Sequence, residues 1–191
     1  IFVISSTVMP GSIESSFIPI IEKYSGRKLN EGFNICHVPD FVALGDVING
    51  FLNPELVLIG ESSREAGEKV EYIYSKVCEN TPHIAHMSLI SAEIAKVSLN
   101  VYITLKISFA NTLANLCEQT PNADLDDITN SIGVDRRISP YYLKGGLSYG
   151  GTCFPRDTKA FILFAKSKDN DASIIKAAEK VNAIQDQKLL E

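Results

Sequence analysis

The sequence predicts an α/β layer followed by an all-helical segment. Up to Ser88, short apolar runs alternate with helix-spaced patterns, as in a mostly parallel sheet. From residue 89 to 118 there is neither Gly nor Pro, which predicts one long helix of roughly eight turns. After it come only helical patterns and one glycine-rich loop, so the boundary falls near residue 88. The two domains expected are 1–88 and 89–191.

Residues 1–5 (IFVIS) read as a buried strand running into the turn Met9-Pro10-Gly11. Ser12 then precedes Ile13, Phe17, Ile20 and Ile21 at helical spacing, with Pro19 predicting a kink or a shortened helix. Residues 33–38 (FNICHV) and 56–59 (LVLI) are the second and third strands, ended by Pro39-Asp40 and Gly60. A helix follows with Ala66, Val70, Ile73, Tyr74 and Val77 on one face, and residues 83–87 form a short fourth strand. Ser88 or Ser91 caps the long helix, and Glu93 in its first turn favours the helix dipole. A helix at 124–132 ends at Gly133, a Gly/Tyr-rich loop spans 135–156, and helices lie near 157–167 and 172–189.

With 45% apolar and 21% charged residues, the 191-residue chain has an ordinary globular composition. Its 18 basic and 23 acidic residues give a net charge of −5 with the cations scattered, which argues against nucleic acid. No apolar run is long enough for a membrane span and no secretory leader is visible, so the protein is read as cytoplasmic. The chain starts on a strand without Met and stops inside a helical pattern; it is read as part of something longer, with a processed small domain as the alternative. Cys36, Cys78, Cys117 and Cys153 form no C-x-x-C pair, and neither His83/His86 nor Cys36/His37 has metal-site spacing, so no disulfide framework and no metal are expected. The first three cysteines read as small buried hydrophobes.

Residues 145–157 (GGLSYGGTCFPRD) are the most specific feature. Two glycine doublets let the backbone approach a ligand closely. Cys153 stands just before a helix start with Arg156 nearby, and both features favour the thiolate. Asp157 is placed to cap the first N–H groups of that helix. A thiolate in a glycine-lined pocket suits covalent attack on a carbonyl carbon; a tight loop whose cysteine merely packs fits the spacing equally well.

Two further groups stand out. Lys96 and Asn100 lie one turn apart on the long helix, where a cation and an amide donor suit a developing oxyanion. A lysine reaching along the helix to water, with a surface Asn, satisfies the same spacing. Asp40 follows the second strand, at the end of a sheet where ligands bind, and serves as a base, a water-positioning group or a turn cap.

Together these residues resemble the nucleotide-sugar dehydrogenase family, the UDP-glucose and GDP-mannose dehydrogenases. Gly150-Gly151-Thr152-Cys153-Phe154-Pro155-Arg156-Asp157 is similar to its G-G-[ST]-C-F-P-K-D signature, with Arg for Lys. Ala92-Glu93-Ile94-Ala95-Lys96, Asn100 and Lys106-Ile107-Ser108-Phe109…Asn111 resemble its A-E-x-x-K…N…K-I-S-F-x-N helix. Ser6-Thr7-Val8, Phe51-Leu52-Asn53-Pro54 and Asp135-Arg136-Arg137-Ile138 match in order, so the resemblance covers essentially the whole chain.

The resemblance implies the C-terminal part of a Rossmann-like NAD-binding domain, joined by the long helix to a helical central domain that forms a homodimer through residues 89–118. The dinucleotide fingerprint is missing, as a cut upstream would require. It implies NAD as cofactor, and oxidation of the C6 alcohol of an NDP-hexose, UDP-glucose first and GDP-mannose still open, through a Cys153 thiohemiacetal and thioester. Lys96 and Asn100 then balance the oxyanion, Asp157 positions Lys96 or water, and Asp40 and Thr7 act in the same centre, Thr7 and Cys153 also meeting the cofactor. Phe41, Val42, Ala43, Leu44, Tyr142, Leu143, Lys144, Tyr149 and Gly150 grip the sugar nucleotide, while Arg137 reaches a substrate in the neighbouring subunit. One departure stands out: where the family has P-E-F-L-x-E-G, this chain has Pro39-Asp40-Phe41-Val42-Ala43-Leu44-Gly45, with a shorter first carboxylate and no second. That leaves a catalytically impaired dimerisation or sugar-nucleotide-binding homologue as the alternative. A thiol hydrolase using Cys153 needs a histidine base, and all three histidines precede the helical half.

Overall fold

Four apolar runs become strands in the computed structural model, which describes residues 1–42 and 45–188. They are β1 (Phe2–Ile4), β2 (Ile35–His37), β3 (Leu56–Glu61) and β4 (His83–Ser88), in the order β1-β2-β3-β4. β1 pairs with β2 and β3 with β4 in parallel. β2 and β3 run antiparallel, with His37 opposite Gly60. The sheet is therefore mixed: the segment after β2 holds only α2 (Val47–Leu52) and brings the chain back from the same end, whereas parallel pairing needs a full crossover.

Pro19 decides how the first helical segment begins. Residues Ile13–Phe17 form a wide π-helical turn, and α1 (Ile18–Ser25) starts regular winding with Pro19 in its first turn, where no N–H is needed. In α3 (Arg64–Val77) the Ser63 side chain accepts from Ala66 N–H and caps the start. Ala66 and Val70 are buried as the periodicity requires, but Ile73 and Val77 are exposed, so the apolar face is shorter than the sequence suggests.

The two faces of the sheet are filled separately, because neighbouring strand residues point to opposite sides. Cys36, Val38, Val57 and Ile59 pack with Ala66 and Val70 of α3. Ile35 and Phe33 pack on the other side with Ile13 and Leu89, joined by Phe17, Ile18 and Ile21. Cys78 and Cys117 are half-buried rather than buried, and all four cysteines are free.

The long helix α4 covers Leu89–Glu118, with the Ser88 hydroxyl accepting from Ser91 N–H at its start. The chain divides into two compact units, Ile1–Val97 and Ser98–Glu191, so the division falls inside α4 and its first turns belong with the sheet. The second unit adds α5 (Leu125–Gly133), capped by Asp124 on Asp127 N–H, then α6 (Phe154–Lys166) and α7 (Ser173–Lys188). Val101, Ala165, Ala172 and Ile175 form its core. Among the described residues no helix is long and apolar enough to cross a membrane.

Candidate active site

In the second unit the glycine-rich loop 145–153 delivers Cys153 to the N-terminal end of α6, where it is the residue preceding the first helical position and is exposed. Gly145 lies so close to α4 that a Cβ there would come 2.8 Å from Ala114 Cβ and 2.9 Å from the Ala110 carbonyl oxygen. Gly151 has φ +76°, a left-handed conformation that L side chains rarely adopt. The Thr152 hydroxyl lies 3.7 Å from Cys153 Sγ.

Asp157 does not cap α6. The helix begins three residues earlier, at Phe154, and the Asp157 backbone N–H is already bonded to the Cys153 carbonyl. The carboxylate is 1% exposed; it accepts 2.6 Å from Asn100 Nδ2 and 2.8 Å from Arg156 Nε. That bond to Asp157 is the main reason the Arg156 guanidinium is held above its ordinary range, with a smaller attraction from Cys153. Asn100 is thus half-buried and engaged, not a free surface amide.

The proposed sugar-nucleotide residues of this unit separate into two groups. Tyr142, with φ 60°, and Tyr149 both meet Phe154 edge-on, with ring centroids 6.5 and 6.2 Å away, and so flank the residue next to Cys153. Tyr149 is buried, which raises its hydroxyl's pKa. Gly150 and Lys144 are exposed, and Leu143 is buried. Arg137 is exposed and forked onto Asp135, its Nη2 2.6 Å from Oδ2.

The first unit assembles a different cluster. Lys96 is 7% exposed, which rules out the water-reaching arrangement. Its Nζ donates 2.5 Å to the Asp40 carbonyl and sits 4.6 Å from the Phe41 ring centre. Burial raises the pKa of the Asp40 side chain, against an opposing attraction from Lys96. Val42 is half-buried beside Gly50; Ala43 and Leu44 lie outside the described residues. His37 is fully buried at the end of β2, and its Nε2 donates to the Ser6 carbonyl at 3.3 Å. Burial lowers its pKa, and the charge of Lys96 lowers it further.

Glu93 overturns its sequence reading. Instead of serving the dipole of its own helix, its buried carboxylate accepts 2.7 Å from Gly11 N–H and 2.9 Å from Ile13 N–H. It anchors the loop that carries Thr7, which is half-buried after the carboxyl end of β1. The sequence signal was a glutamate on a helix face otherwise buried; its partners, some eighty positions away, carried none. Asn182 and Gln185 were missed as well, although their spacing of three places both on one face of α7.

Two stretches of this chain match family models: residues 1–78 the NAD binding domain, and residues 90–184 the central domain, of the UDP-glucose/GDP-mannose dehydrogenase family. Over 191 residues the chain is 33% identical to a UDP-glucose 6-dehydrogenase from Haloferax volcanii, covering 99% of this chain and 44% of that protein. It is 31% identical over 188 residues to a GDP-mannose 6-dehydrogenase from Azotobacter vinelandii, covering 97% of this chain and 42% of that one. Among solved structures it resembles a UDP-glucose dehydrogenase from Pyrobaculum islandicum, with a TM-score of 0.87 and 32% identity over 95% of this chain and 40% of the other. The matched NAD-binding domain makes NAD the cofactor, and the fold is that of the nucleotide-sugar dehydrogenase class of proteins. The chain belongs to the UDP-glucose/GDP-mannose dehydrogenase family, and spans less than half the length of these relatives.

The described residues fit one part of an NAD site. Thr7 lies in the loop after a parallel strand, where such sheets receive ligands. The N–H groups opening the next helical segment are bonded to Glu93 and do not hold the cofactor's phosphates.

Proposed function

We infer that this chain carries the thiol and the oxyanion partners of an enzyme that oxidises the C6 alcohol of an NDP-hexose, UDP-glucose first, to the carboxylate. The observation that carries the reading is the exposed Cys153 at the N-terminal end of α6, on a glycine loop, four residues before the buried Asp157–Asn100 bond. Two molecules of NAD, bound in turn, would each take up one hydride, the first from the alcohol and the second from the thiohemiacetal. Thr7 and Cys153 are the residues of this chain proposed to meet the cofactor.

Cys153 acts on the intermediate aldehyde. Its sulfur bonds to the carbonyl carbon, and the carbonyl electron pair moves to oxygen, giving a thiohemiacetal oxyanion. Lys96 and Asn100 balance that charge, one as a cation and the other as an amide donor. Asn100 has two amide hydrogens; one is committed to Asp157, which fixes the orientation of the group. After oxidation to the thioester, water adds to the carbon, the C–S bond breaks, and the thiolate leaves. Asp40 and Thr7 position that water, and the raised pKa of Asp40 suits a carboxyl that exchanges protons. Phe41, Val42, Ala43, Leu44, Tyr142, Leu143, Lys144, Tyr149 and Gly150 hold the sugar nucleotide, and Arg137 reaches the substrate of a second subunit.

The second subunit pairs through α4. Tyr102, Phe109 and Leu116 repeat every seven residues and are exposed at 61%, 52% and 57%, which is the seam spacing of associating helices. An apolar groove lined by Tyr102, Phe109, Ile132, Ile138 and Ile174 continues that surface. The protein works in the cytoplasm, where sugar nucleotides are made and consumed. Leu44 supports the second reading, a binding homologue in which thioester hydrolysis is slow. The test is NADH yield per UDP-glucose with the full-length protein: two equivalents are expected, and Cys153→Ala, which leaves the first hydride step possible, removes the second. Tight sugar-nucleotide binding without NADH selects the binding homologue.

A further inference from the structure

The backbone of the cysteine loop is gripped at Gly146, Leu147 and Tyr149 by side-chain amides. Asn182 on α7 pairs with Tyr149 in both directions: its Oδ1 accepts from Tyr149 N–H at 2.7 Å, and its Nδ2 donates to the Tyr149 carbonyl at 3.0 Å. One turn on, Gln185 Nε2 donates to the Gly146 carbonyl at 2.7 Å. Asn111 on α4 accepts from Gly146 N–H at 2.8 Å and donates to the Leu147 carbonyl at 3.3 Å. Asp186 takes the Ser148 hydroxyl. Residues 146 to 149 thus each have a partner on a helix, and none of these bonds belongs to a sheet or a helix ladder.

Such an arrangement has a physical purpose. A loop with two glycine doublets loses more conformational entropy on ordering than any other kind of segment. Packing holds its ends at Gly145 and Tyr149 but does little for Leu147, Gly150 and Gly151, which are exposed. The amide of Asn182 imitates a peptide group and pairs with Tyr149 as a neighbouring strand would. Gln185 is itself 8% exposed and receives Asn115 Nδ2 on its Oε1, so its orientation is fixed.

We propose that Asn182 and Gln185, with Asn111, are positioning residues that set where Cys153 stands by holding residues 146–149. The inference rests on the reading of Cys153 as nucleophile. The test compares the full chain with its N182A, N182D and Q185A variants, using UDP-glucose and NAD. Folding is checked by circular dichroism, and acid-quenched peptide mass mapping follows the rate of adduct formation on Cys153. The expected result is folded variants in which kcat and the adduct rate fall about tenfold to a hundredfold, while KM for NAD stays within about twofold. N182D, which keeps the acceptor for Tyr149 N–H, falls between N182A and the parent. Variants that are less stable but match the parent in kcat and adduct rate overturn the proposal and reduce the amides to structural ties. A parent that forms no adduct overturns the nucleophile reading and the proposal with it. If N182A does not fold, Q185A and N182D decide by the same criteria.

Discussion

Asn100, in the fourth turn of the long helix, donates a 2.6 Å hydrogen bond to the buried Asp157 in the first turn of α6. The bond joins two helices more than fifty positions apart in sequence, and the same carboxylate receives Arg156. Replacing Asp157 with Ala leaves an amide and a guanidinium without their acceptor. Stability of the second unit is expected to fall by about 1–3 kcal/mol, measured as a lower urea midpoint with unchanged slope. An unchanged midpoint would show that water replaces the carboxylate at no cost.

Glu93 holds the other loop that bears a candidate residue. Glu93→Ala strands the N–H groups of Gly11 and Ile13, which then lack the acceptors they have at 2.7 and 2.9 Å. The expected loss is again about 1–3 kcal/mol. Amide exchange localises it: protection at Gly11 and Ile13 drops, while that of α3 is preserved. Uniform loss across the first unit would contradict a local tie.

His37 makes stability depend on pH with a definite sign. Burial lowers its pKa, so below the unfolded value of about 6.5 the unfolded chain takes up a proton that the folded chain refuses. Its contribution is therefore complete above that pH and is lost as the pH falls toward the lowered folded value. Gln keeps a donor for the Ser6 carbonyl but does not titrate. Between about pH 7.5 and pH 5.5, the parent should lose more stability than His37→Gln. Equal losses would remove His37 from the pH dependence.

The cysteines should separate by reactivity. Cys36 is buried and its pKa is pushed up to about 11, first by desolvation and then by Glu61, whereas Cys153 is exposed. Brief iodoacetamide treatment of folded protein near neutral pH is expected to label Cys153 and leave Cys36 untouched until denaturant is added. Labelling of Cys36 at a comparable rate would mean that the sheet opens readily.

What the sequence disclosed follows how local each signal is. The four strands and the long helix rest on apolar runs and an unbroken Gly/Pro-free stretch and lie close to where the pattern puts them, but β1, read as buried, leaves Phe2 and Val3 half exposed, and β3 runs through Gly60 to Glu61 instead of ending there. The short α2 was not foreseen, since Val47-Ile48-Asn49-Gly50-Phe51-Leu52 mixes β-branched residues with Gly and is too brief to show a period. The antiparallel β2–β3 pairing depends on where the intervening segment turns, and no residue pattern encodes that. Within the candidate site, the motif residues were legible as residue types, but their bonds were not. Asp157 looked like a cap because it stands near a helix start, yet Pro155 places that start at Phe154. Asn182 and Gln185 look like ordinary polar residues of a surface helix until the loop they hold is folded against them.

The central claim, that the sulfur of Cys153 bonds to the sugar carbon during turnover, is tested most directly by mass. Full-chain protein incubated with UDP-glucose and NAD, quenched in acid and digested, should yield the Cys153 peptide heavier by the bound sugar nucleotide, with the Cys36, Cys78 and Cys117 peptides unchanged. Two equivalents of NADH per UDP-glucose with the Cys153 peptide unmodified at every quench time, and the same yield in Cys153→Ala, would contradict the account.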